Sequence, residues 1–121
     1  MVKGMILSVI LAASVIVSAP IKVSCIGNSI TYGSMGAAYP LKLQALLGPE
    51  YMVENEGVRG TTMLKKGNSP YWTRGKFTQV FAFKPDIVTI KLGTNDTKKE
   101  NWDRYNGEFK KDCIAMIDTL N

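Results

Sequence analysis

Asp86-Ile87-Val88-Thr89-Ile90-Lys91-Leu92-Gly93-Thr94-Asn95-Asp96 is the stretch that decides the fold. Ile87, Val88 and Ile90 are β-formers and Gly93 ends the run, so residues 86–92 read as a strand. Apolar residues on consecutive positions predict a strand buried on both faces, as in a parallel sheet covered by helices. The strand then runs directly into a polar segment, Gly93-Thr94-Asn95-Asp96.

The same order occurs twice upstream. Ile21–Ile26 is a short apolar, β-branched run that ends in Gly27-Asn28-Ser29-Ile30-Thr31. Tyr51–Glu54 is a second strand, followed by Asn55-Glu56-Gly57-Val58-Arg59-Gly60-Thr61-Thr62. Between the strands lie helical signals. Pro40 suits the first turn of a helix over Tyr39–Leu47, and Gly48-Pro49 stops it. Phe77, Val80 and Phe81 mark one face of a short helix. Tyr105, Phe109, Cys113, Met116, Ile117 and Leu120 form an apolar stripe that predicts one long helix over Asn101–Leu120, weakened by Gly107. Residues 57–74 form a long polar segment. The resulting β-α-β-α-β-α order predicts an α/β parallel sheet with helices on both faces. The third strand should have a further neighbour that these residues do not supply, so the domain reads as stopping partway.

The first 20 residues stand outside this pattern. Lys3 gives a short basic start, Met5 to Val17 is apolar apart from Ser8 and Ser14, and small residues follow at Ser18 and Ala19. That is the order of a secretory signal peptide, which assigns residues 1–20 to a leader and 21–121 to the folded domain. An uncleaved anchor is the rival reading, and the uncharged stretch from Gly4 to Ile21 is borderline for spanning a bilayer.

The chain has 121 residues, 45% of them hydrophobic and 21% charged, with a net charge of +5. Its basic residues are scattered singly or in pairs and never alternate with aromatics, which argues against a nucleic-acid surface. Cys25 and Cys113 fall inside apolar patterns and read as free thiols, with no metal-ligand spacing. Histidine is absent, so the most common neutral-pH general base is not available within the chain.

In a parallel α/β sheet the carboxyl ends of the strands share one edge, where ligands bind. Ser29, Gly60 and Asn95 sit after three successive strands, 31 and 35 residues apart. Each has an ordinary turn or capping role available to it. Together, a hydroxyl on a tight turn, an unobstructed backbone N–H and a side-chain amide are the parts of an acyl-transfer site. The glycine pattern does not match a phosphate-binding GxxxxGK[ST] loop or a dinucleotide-binding GxGxxG.

Gly27-Asn28-Ser29-Ile30-Thr31-Tyr32-Gly33 resembles the first block of the SGNH (GDSL-type) hydrolases, where Gly-Asp-Ser is usual. Asn55 to Thr62 resembles the second block, and Gly93-Thr94-Asn95-Asp96 the third. The resemblance covers about residues 21–121 and implies a flavodoxin-like three-layer α/β/α fold whose C-terminal part is missing. It implies Ser29 as nucleophile, with the Ser29 and Gly60 backbone N–H groups and the Asn95 side chain as the oxyanion hole. The runs Lys66 to Trp72 and Ala82 to Asp86 look like exported bacterial carbohydrate esterases, of the sialate O-acetylesterase-like or acetylxylan esterase-like kind. An acylated, expectedly acetylated, carbohydrate would then be the substrate, with Tyr71 and Trp72 either stacking on the sugar or packing the long loop. No metal or organic cofactor is implied, nor a nucleic-acid partner, nor stable membrane association after leader cleavage. Two departures stand out. Asn28 replaces the usual Asp, and the Asp-x-x-His block that supplies the family's general base is absent. A carbohydrate-binding protein without catalysis and a non-functional fragment are the competing expectations.

Overall fold

The computed structural model describes residues 4, 6–14, 18–34 and 36–121. Of the leader expected at residues 1–20, positions 1–3, 5 and 15–17 lie outside the described residues. Ile6, Leu7, Val9, Ile10 and Leu11 are exposed and in no regular element. Among the described residues, no helix is long and apolar enough to cross a membrane.

Three strands, β1 (Ile21–Gly27), β2 (Tyr51–Gly57) and β3 (Ile87–Lys91), form an all-parallel sheet in the order β2-β1-β3. Val23 pairs with Val53 on one side and Ile87 on the other, and Gly27 pairs with Gly57 and Lys91. The three carboxyl ends are therefore level along one edge. The strand order reverses at β1, the place where α/β sheets open a crevice. The α-helices among the described residues are α1 (Ser29–Tyr32), α2 (Tyr39–Leu47), α3 (Gly75–Phe83), α4 (Lys99–Tyr105) and α5 (Phe109–Leu120).

Alternation along the strands sorts side chains into two layers. On one face Ile26 packs with Phe77 and Val80 of α3, Met116 of α5, and Met63 and Tyr71 from the long connection. Ile26, Val80 and Met116 are fully buried, each worth about 1.5–3 kcal/mol of transfer free energy. On the other face Tyr39, at the start of α2, bonds Thr89 of β3 through its hydroxyl at 2.9 Å. The arrangement is the three-layer α/β/α fold that the element order predicts. Cys25 and Cys113 are both free thiols. Cys25 lies on the α2 side of the sheet, whereas Cys113 packs against the core on the α5 side.

The outer margin of β2 is closed by side chains. Gln44 of α2 acts as a short stand-in for a further strand: its amide NH2 donates to the Tyr51 carbonyl at 2.9 Å, and its carbonyl accepts from Val53 N–H at 2.8 Å. The Asn55 carbonyl accepts from Lys76 at 3.4 Å, and Gly57 N–H donates to the Asn55 side chain at 2.9 Å. The margin of β3 is different. Among the described residues, the backbone of Ile87–Lys91 pairs only with β1. Ile87 is 46% exposed, and an open cleft of about 260 Å³ runs past Val88, Ile90, Ile117 and Leu120. The sequence pattern predicts a strand buried on both faces. In the structure Val88 and Ile90 pack against the core, and the outer edge of the strand, where the pattern expects a further neighbour, pairs with nothing among the described residues.

Two element boundaries also differ from the pattern. β2 continues three residues beyond Glu54, carrying Asn55 and Glu56 in strand conformation. Asn55 can do so because its amide donates to the carbonyls of Thr31 and Tyr32 at 3.0 and 3.2 Å. The long C-terminal helix is broken into α4 and α5 by a 3₁₀ turn at Asn106–Glu108. Gly107 has low helix propensity, and the Asn106 amide captures the Trp102 carbonyl at 2.6 Å. The break sets Trp102 edge-on against Phe109, with ring centroids 5.8 Å apart.

Glu56 is buried, and its Oε2 has no hydrogen bond among the described residues, with the Lys76 ammonium 3.6 Å away. Burial pushes its carboxyl above the usual range, against the pull of the Lys76 ammonium. Between the unfolded and the folded pKa, the folded protein holds a proton that the unfolded chain has released. Stability must fall as pH rises through that window. Glu56→Gln removes the ionisation and should raise the urea midpoint at pH 8, with the gain shrinking towards pH 4. An equal gain at both pH values would contradict the assignment.

Candidate active site

The site is built where the three strands end. β1 delivers Gly27-Asn28-Ser29, and the backbone turns at once into α1. Asn28 is buried, and its side-chain oxygen accepts from Ile30 N–H at 3.0 Å. Asn and Asp cap helices about equally well, so the departure at this position leaves the turn intact. Ser29 is exposed at the first position of α1. Among the described residues its N–H donates to no acceptor, as first-turn N–H groups of a helix do not.

β2 is brought against this turn by a tight approach. Val58 N–H donates to the Gly27 carbonyl at 2.9 Å. A β-carbon on Gly57 would fall on the backbone of Tyr32, so only glycine lets β2 come this close to α1. Gly60 has φ of +77°, a left-handed conformation that favours glycine. Its N–H also donates to no acceptor among the described residues. The third strand supplies Asn95, whose amide NH2 donates to the Thr61 carbonyl at 3.0 Å. One of its two protons is committed there, which places the side chain beside Gly60 and leaves a second donor. The segments carrying Ser29, Gly60 and Asn95 thus meet at one edge of the sheet.

The connection after β2 is far better anchored than its polar sequence predicts. Thr61, Thr62, Met63 and Leu64 are all buried. Asp96 accepts from Met63 N–H at 3.0 Å and from Leu64 N–H at 2.7 Å, one bond to each carboxylate oxygen. Asp112 of α5 accepts from Lys65 N–H at 2.8 Å. Asn101 of α4 accepts from Asn68 N–H at 2.8 Å and donates to the Asn95 carbonyl at 2.9 Å. Sequence reasoning missed this clamp, because each bond links residues more than 30 positions apart or joins two segments that look like plain loops.

Tyr71 and Trp72 separate from Ser29, Gly60 and Asn95. Tyr71 is fully buried, its hydroxyl donates to the Glu56 carbonyl at 2.6 Å, and its ring meets Phe77 edge-on. It has no face to offer a sugar, so of the two expected roles it takes packing. Burial also pushes its phenol upward from the ordinary value. Trp72 donates from its ring N–H to the Met63 carbonyl at 2.7 Å, and its ring lies against Phe77 and under the Lys65 ammonium. Both aromatics fasten the long connection to the domain.

Two adjoining open clefts lie beside α1, and one of them reaches Ser29. One, of about 350 Å³, is lined by Ser29, Ile30, Ala37 and Arg59 among others. The adjoining one, of about 550 Å³, is lined by Tyr32, Ala38 and Arg59 among others. Arg59 is exposed, with its guanidinium 4.7 Å from the centre of the Tyr32 ring. It carried no expectation from the sequence beyond its place in the second block.

Comparison with known proteins agrees with this geometry. The chain is 51% identical over 105 residues to an acetylxylan esterase of Xylanibacter ruminicola, an alignment covering 83% of the chain and 22% of that protein. The chain therefore spans about a fifth of the length of the curated relative it matches. No solved structure matches it. Residues 25–120 match the GDSL-like Lipase/Acylhydrolase family, and since that span holds the turn at Ser29, the Gly60 loop and the Asn95 segment, the chain belongs to this family.

Proposed function

We propose that this chain carries the nucleophile and oxyanion-binding part of an exported esterase that removes acetyl groups from carbohydrates. The observation that carries the reading is the trio at the sheet edge. An exposed Ser29 hydroxyl stands beside its own undonated N–H, and the Gly60 loop is tied to Asn95. In the reaction, Ser29 Oγ attacks the ester carbonyl carbon. The Ser29 N–H, Gly60 N–H and Asn95 amide donate to the oxygen as it gains negative charge. The sugar hydroxyl leaves with a proton, and water then hydrolyses the acyl-enzyme to free acid.

The proton acceptor must come from outside these 121 residues, because they include no histidine. The acetyl and carbohydrate parts of the proposal rest on the name of the relative. Export rests on the leader pattern of residues 1–20. The open clefts lined by Arg59 would equally serve a second reading, a carbohydrate-binding protein that performs no hydrolysis.

A graft separates the two. Residues 25–120 would replace the matching segment of the Xylanibacter ruminicola acetylxylan esterase. The graft should hydrolyse p-nitrophenyl acetate and release acetate from acetylated xylan, while the 121-residue chain alone stays at the buffer rate. A folded but inactive graft would refute the esterase reading.

A further inference from the structure

We propose that Arg59 is a specificity residue that binds the carboxylate of an acidic sugar next to the acylated one. The proposal rests on the esterase reading and names a substrate class for the same site. The cleft that Ser29 lines and the one adjoining it are both open, and Arg59 lines both. It is the single charged residue lining either of them among the described residues. No acidic side chain competes for it, and it makes neither an ion pair nor a side-chain hydrogen bond among the described residues.

The guanidinium is nevertheless held. It lies against the Tyr32 ring, an arrangement that orients the planar group without using its N–H donors. A planar, pre-oriented fork with free donors fits a carboxylate through two parallel hydrogen bonds. Its position at the boundary of the clefts determines which carboxylate it reaches. The sugar bearing the ester occupies the cleft that Ser29 lines. The anionic group belongs to a neighbouring residue or branch in the larger cleft, over Tyr32. Neutral chains would still enter, but without this contact.

Isothermal titration of the 121-residue chain tests the idea with two probes. One is a xylo-oligosaccharide bearing a single glucuronic acid branch, and the other is the unbranched oligosaccharide of equal length. The acidic probe should bind about five- to tenfold more tightly at low salt, since the pair is partly exposed. The margin should shrink in 0.5 M NaCl, where charges are screened within a few ångströms. Arg59→Gln should bring the ratio of the two affinities to about one, and Arg59→Lys should keep part of it. Equal affinities in the unaltered chain, a margin that survives Arg59→Gln, or no binding of the acidic probe would each overturn the proposal. In the graft, the same Gln variant should raise KM for the acidic substrate selectively over the neutral one. The affinity ratio is read without turnover, so the specificity proposal and the esterase reading can fail separately.

Discussion

Replacing Ser29 with alanine should lower kcat/KM of the graft on p-nitrophenyl acetate by about 10⁴-fold or more. The reason is local. The change deletes the hydroxyl proposed to form the covalent bond and touches little else. Ser29 is exposed, the cap of α1 is the Asn28 side chain, and the backbone N–H at position 29 stays in place. The donors proposed for the oxyanion therefore survive while the proposed nucleophile is lost. Stability should change by no more than about 0.5 kcal/mol, as at other exposed positions. The test pairs steady-state kinetics with a thermal unfolding curve of the same variant. A variant that unfolds normally and keeps a tenth of the activity would remove Ser29 from the nucleophile's role.

Asp96→Ala should destabilise the 121-residue chain by about 3–5 kcal/mol in urea unfolding. Asp96 is fully buried, and its two oxygens accept from two backbone N–H groups of the connection after β2. Alanine leaves both donors buried without partners, at about 1–3 kcal/mol each, and opens a small void. Asp96→Asn keeps one acceptor and turns an NH2 towards the other donor, so it should recover only part of the loss. Gly60 and Asn95 are joined to the same connection through Thr61. The graft carrying Asp96→Ala should therefore also lose kcat on p-nitrophenyl acetate, about tenfold or more. A loss of stability below 1 kcal/mol would mean that Asp96 does not hold this segment.

How much of this was legible in the sequence depended on the range of the forces involved. Tyr39–Leu47 was read with its true ends, because Pro40 and Gly48 act on their immediate neighbours. The strand read at residues 86–92 and found at Ile87–Lys91 followed from its β-branched run, and the parallel order from the succession of strands and helices along the chain. The extension of β2 through Asn55 and Glu56 was not legible. Two polar residues in a row deny the apolar pattern, and their partners come from α1, α3 and the Tyr71 hydroxyl. Burial of Met63 and Leu64 was missed for a similar reason. They sit in a stretch rich in threonine, lysine and glycine, and their place is fixed by Asp96, a residue more than 30 positions away. That Ser29, Gly60 and Asn95 follow three strand ends could be read because short motifs at strand ends are local, whereas the clamp behind them could not. Arg59 was in plain view in its motif. Its standing over Tyr32 depends on how closely β2 approaches α1, which only the fold reveals.

Gln44 has a consequence for self-association. A parallel sheet with two bare margins can stack copy upon copy without limit, each new molecule offering a fresh margin to the next. The β2 margin is spent on the Gln44 amide and its neighbours, so a second copy finds no free run of backbone donors and acceptors there. With Gln44 in place the sheet does not grow outward past β2; without it, the Tyr51 carbonyl and the Val53 N–H would be open to pairing with another chain.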